Sequence, residues 1–165
     1  ISVKENSVSS SNDVSIPKEK INAAKKLGEV IANEFCKAFE AYPNAVEEPD
    51  DNMVVQRLLL LSFTATVGLD KHLGNETLAG IAQKSFLKTV KNTADELYKY
   101  TSDTGAFSFY YLAYRRGSEV ERRMGQTFAM LCSHDGDPIY QELGEVLFCW
   151  FSSVIESAVN NIFGA

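Results

Sequence analysis

The stretch with the densest recognition chemistry is residues 110–123, YYLAYRRGSEVERR. Its two arginine pairs, Arg115-Arg116 and Arg122-Arg123, are seven residues apart, so on one continuous helix they share nearly one face. Glu119 lies between them, four residues after Arg115 and three before Arg122, and Glu121 is close by. On a solvated face such residues form a ladder of ion pairs, each contributing roughly a few tenths of a kcal/mol. That ladder is the ordinary reading. A guanidinium that escapes its glutamate does different chemistry, gripping a carboxylate or phosphate with two parallel hydrogen bonds. The phenols of Tyr110, Tyr111 and Tyr114 add rigid area with a polar tip, and Tyr with Arg is also the composition of protein–protein hot spots. The candidate binding residues are therefore Tyr111, Tyr114, Arg115, Arg116, Arg122 and Arg123, with a protein interface favoured over a small anion.

Elsewhere the chemical signals are thinner. His134-Asp135-Gly136-Asp137 offers three metal-ligating side chains in one turn, but a metal site needs ligands converging from other elements. Asp137, directly before Pro138, is explained by capping a helix that starts there. No metal site is expected. Glu142 and Glu145 form an ExxE, yet neither His72 nor His134 has the glutamate three residues earlier that a di-iron bundle requires. His72 falls near a helix C-terminus, where the dipole favours it. There is no GxSxG, P-loop, GxGxxG or HExxH. No catalytic residue is assigned and no cofactor is expected.

Composition narrows the class. A chain of 165 residues suits one domain that buries roughly two-thirds of its surface. The net charge of −6 disfavours a broad nucleic-acid or anionic-membrane surface, while leaving room for a local basic patch. Cys36, Cys132 and Cys149 are odd in number and lack metal spacing, and each sits in apolar helical pattern. They read as free, buried thiols in a reducing cytoplasm. The chain opens at Ile1 without a methionine, which reads as a fragment or a processed form. The best candidate membrane span, Met53–Leu69, is interrupted by Gln56 and Arg57 and falls short of the ~20 apolar residues a span needs, so none is expected.

The elements that must position the candidate residues all read as helices. Residues 1–15 form a polar tail or linker, and 16–165 a single domain. A first helix runs from Pro17 to Tyr42, and Asp50 or Asp51 caps a second, nearly all-apolar one over 52–72. Gly74 stops that helix and Asn75 caps a third, over 76–101, whose inward face includes Phe86, Val90, Leu97 and Tyr98. The fourth segment is either two short helices broken at Gly117 or one helix over 106–132. Periodicity favours one, because Tyr110, Ala113, Gly117, Val120, Met124 and Phe128 continue on one face through the glycine. The last helix, about 139–163, is apolar all round between Val146 and Phe151. It is expected at the centre with Leu147 and Trp150 as core anchors and the second helix as its partner. Gly28, Gly68, Gly80, Gly117, Gly125 and Gly144 fall inside these helices and read as points of close helix contact. The fold class is thus all-α, an up-and-down bundle of about five long helices in which successive helices are neighbours.

Such a fold hosts many functions. The first expectation is a soluble interaction or regulatory module that forms a homodimer or binds a protein partner through the Tyr/Arg segment. The second is a small-molecule binder with an apolar pocket between the second, fourth and last helices, lined by internal glycines and by Thr64, Thr66, Ser152 and Ser153, for an apolar or anionic ligand. An enzyme ranks last.

Overall fold

The computed structural model describes residues 15–40 and 51–164, which fold into seven α-helices and one 3-10 turn, with no strand among the described residues. In chain order these are α1 (Lys18–Glu40), α2 (Asp51–Leu73), α3 (Glu76–Thr93), α4 (Asp95–Tyr98), the 3-10 turn (Lys99–Thr101), α5 (Thr104–Tyr114), α6 (Val120–Leu131) and α7 (Pro138–Phe163). The protein is all-α. The residues 1–14 of the expected tail, Tyr42, and the side chains of Asp50 and Asp51 lie outside the described residues.

Two of the expected caps are present: Asn75 accepts the Leu78 N–H at 3.0 Å and Asp137 the Ile139 N–H at 3.0 Å. Asp103, which the sequence marked only as part of a turn, also caps, accepting the Ala106 N–H at 2.8 Å. Two of the five expected helices are broken, however, and this accounts for the higher count. At Ala94 (φ −148°, ψ 75°) α3 ends and the helical phase restarts, so Leu97 stays inside while Tyr98 is exposed instead of facing inward. Between α5 and α6, Gly117 (φ 77°) and Glu119 (φ 51°) are both left-handed. Two such residues within three positions cannot belong to a right-handed helix. The expected single helix over 106–132 is therefore a hairpin. Its buried face was read correctly on both sides of the break, at Tyr110, Ala113, Met124 and Phe128.

The element around which the others pack is α2, not the last helix. Its run Leu58 to Leu61, together with Phe63 and Leu69, is buried, and it touches α1, α3, α5, α6 and α7. The expected pairing of α2 with α7 is present. The first two helices are not close neighbours, since α1 lies chiefly on α3. Gly28 makes that approach possible: a Cβ there would stand 2.3 Å from the Ala82 carbonyl oxygen. Ser85 secures the contact by donating to the Lys25 carbonyl at 2.6 Å. The same device joins α6 to α7, where a Cβ on Gly125 would stand 2.2 Å from the Gln141 carbonyl oxygen.

Along α7 the buried residues are Gly144, Leu147, Phe148, Phe151, Ile155, Ala158 and Val159. Leu147 is an anchor. Trp150, expected beside it in the core, is 43% exposed, and Ile139 and Val146 also face outward. A helix apolar all round carries no periodic signal for its own rotation, and the deciding contact is Gly144, which admits Phe128. Cys149 shares the outward side, so only Cys36 and Cys132 are buried. By length and composition α2 (from Asn52) and α7 could each cross a membrane; the most apolar stretch is 67% buried in the bundle for α2 and 33% for α7.

Candidate functional site

Phe63 on α2 is the seat on which α5 is set. The rings of Phe107, Tyr110, Tyr111 and Tyr114 stand 5.5, 5.4, 4.9 and 6.3 Å from it, mostly edge-on. These residues recur at intervals of three and four, one face of a helix. Tyr110 is wholly buried and its hydroxyl has no hydrogen-bond partner among the described residues. Burial holds that hydroxyl well above its ordinary pKa, and Cys132 pushes the same way. Burial, then the charge of Asp70, also raises the hydroxyl of Tyr114, which remains a proton donor.

The break at Gly117 divides the six candidate residues. Arg115 lies over the Tyr111 ring, 5.7 Å from its centre, and with Tyr111 and Tyr114 it lines a cleft between α2, α3 and α5. Arg116 and Arg123 line a separate groove on the outside of the α5–α6 hairpin. Arg122 lines neither and pairs with Glu119 at 3.7 Å. Arg123 donates to the Ser118 carbonyl. The ladder of ion pairs has thus shrunk, among the described residues, to one exposed pair, and the two arginine pairs do not share a face.

The first cleft, of about 680 Å³, also presents Asp70, Lys71, Glu76 and Gln83. Nothing in the sequence singled these out, because they converge only once α3 folds back on the end of α2. The sole local hint was their proximity to the Gly74-Asn75 turn.

A second cleft of about 640 Å³ lies between α2, the α5–α6 turn and α7. This is where a pocket between the second, fourth and last helices was expected, and Gly68, Gly117, Ser152 and Ser153 do line it. It is not apolar, since Lys71, Glu119, Glu121 and Glu156 line it too. Thr64 is fully buried and bonded to the Leu60 carbonyl, while Thr66 belongs to the first cleft. Cys149 stands at the polar cleft, where burial and the charges of Glu121 and Glu145 raise its pKa. A thiol held protonated is a poor nucleophile.

The outer groove, about 270 Å³, is smaller than the two clefts. Phe109, Leu112 and Met130 are all exposed along it, between Arg116, Arg123 and Asp135.

His134 stacks on Tyr140, ring centres 3.9 Å apart, with Nδ1 3.8 Å from Asp137 Oδ2. Among the described residues no three His, Cys, Asp or Glu side chains converge. No family model matches this sequence, and neither the curated proteins nor the solved structures yield a match.

Proposed function

We propose that this chain is a soluble cytoplasmic interaction module that forms a homodimer through the outer face of the α5–α6 hairpin. The observation that carries this reading is Leu112, 64% exposed on a helix whose other side is anchored in the core, with Phe109 and Met130 beside it. Burying three large apolar side chains on association releases free energy in proportion to the area removed from water. The occupant is a second copy because the groove carries both signs. Arg116 and Arg123 share it with Asp135, and in a two-fold contact each patch meets its own copy, so arginines can face the partner's carboxylate. Phe109, Met130, Arg116 and Arg123 are of the residue types enriched at interfaces. A free, exposed Cys149 suits a reducing compartment.

Sedimentation velocity over a concentration series tests the reading. Wild type is expected to pass from monomer to dimer, and Leu112→Asp to remain monomeric with an unchanged circular dichroism spectrum. Arg116→Ala should weaken the dimer and make what remains less sensitive to salt. A wild type that stays monomeric at every concentration would sink the proposal.

A further inference from the structure

We infer that the cleft between α2, α3 and α5 binds a small zwitterion of the free amino-acid class. This goes beyond dimerisation and uses the opposite side of α5. Residues 109, 112 and 116 project from one side of that helix, and 111, 114 and 115 from the other.

The argument begins with charge. Lys71 and Arg115 stand in one cleft with Asp70 and Glu76, two cations with two anions. Among the described residues, none of the four is in an ion pair, although the exposed Lys26–Glu29, Lys37–Glu34 and Arg122–Glu119 pairs all form. Each therefore keeps its full hydrogen-bonding capacity for a ligand carrying both signs. Arg115 is the natural carboxylate grip, its plane steadied by Tyr111.

Gln83 braces the wall of the site. Its Nε2 donates to Thr66 Oγ1 at 3.1 Å, and that hydroxyl donates in turn to the Ser62 carbonyl at 3.2 Å. Having given up its one proton, Thr66 Oγ1 can only accept from Gln83, and this determines which end of the amide is which. The Gln83 Oε1 is buried with no partner among the described residues, so the amide braces α3 on α2 behind the cleft and is not a ligand contact. An ammonium group finds its counter-charge in Asp70 and Glu76, which line the cleft with Arg115. Tyr111, Tyr114 and Val67 add apolar surface to the lining, which suits an aromatic side chain. The volume is within the range of small-molecule sites.

The test is a titration of the isotopically labelled protein with L-phenylalanine, followed by amide chemical shifts. Alongside it run 3-phenylpropionate, which lacks the ammonium, and phenethylamine, which lacks the carboxylate. L-phenylalanine should give saturable shifts confined to residues 66–83 and 111–115, with each analogue at least about ten-fold weaker. Arg115→Ala should weaken binding about ten- to a hundred-fold, the worth of a hydrogen bond to a charged group. Lys37→Ala, on α1 and outside the cleft, should leave it unchanged. Asp70→Asn with Glu76→Gln should narrow the preference for the amino acid over 3-phenylpropionate. If Arg115→Ala loses its fold, Arg115→Lys keeps the charge, loses the two-pronged grip, and should still weaken binding. Absence of saturable shifts at millimolar L-phenylalanine overturns the inference, as do shifts centred elsewhere. Equal affinity for 3-phenylpropionate overturns the zwitterion assignment.

Discussion

Tyr110 shows how much one side chain can hold in tension. Its ring is a core piece against Phe63, while its hydroxyl is buried without a partner. An unsatisfied buried donor costs about 1–3 kcal/mol, so Tyr110→Phe should stabilise the protein and raise its urea midpoint without changing the m-value. The same variant should alter the alkaline limb. The folded pKa lies above the ordinary 10.0, so the neutral form's stabilisation is complete below about pH 10 and is lost as pH climbs towards the folded value. Wild type should therefore lose stability faster than Tyr110→Phe above about pH 10. At this scale the sequence revealed residue types but not partners. Arg115 and Arg122 read alike on a helix face, and only the fold shows that Arg122 keeps Glu119 while Arg115 stands over Tyr111.

Among the elements, glycines separate contact from mere tolerance. Gly80 and Gly28 both lie inside helices, where alanine is favoured by roughly 1 kcal/mol. Nothing stands within 4 Å of a Cβ on Gly80, so Gly80→Ala should gain about that amount. A Cβ on Gly28 meets the backbone of α3, which cannot swing aside as a side chain does. Gly28→Ala should therefore lose about 1–3 kcal/mol despite its better propensity, and thermal melts of the two variants should move in opposite directions. Gly117→Ala should also destabilise, by about 1 kcal/mol, although it too has open space around it. There the cost comes from the left-handed backbone, φ 77°, and not from crowding. Helix existence, caps and most buried faces were legible because 3.6-residue periodicity and Asn or Asp caps are local signals. The break at Gly117 was not, since the apolar face continues through it, and nor was the rotation of α7, whose apolar surface runs all round.

At the scale of the whole molecule, α2 holds the bundle together and α5 faces two ways from it. Phe63 fixes α5 from beneath, so the hairpin groove and the cleft share one support but no lining residue. Dimerisation and ligand binding should then be separable, and both should register in global stability. A dimer that unfolds to monomers melts at a temperature that rises with protein concentration, because mass action favours the associated state. Wild type should show this dependence and Leu112→Asp should not. L-phenylalanine should raise the melting temperature of both proteins, since Leu112 touches only the groove, whereas Arg115→Ala should keep the concentration dependence and lose the ligand shift. Phe63→Ala should lower stability by about 3–5 kcal/mol and diminish both effects, because it removes the ring on which the two surfaces are seated. Calorimetric scans of the four proteins at two concentrations, with and without ligand, read all of these together. If Phe63→Ala left the ligand shift intact while lowering the melting temperature, α5 would owe its position to something other than the aromatic seat on α2.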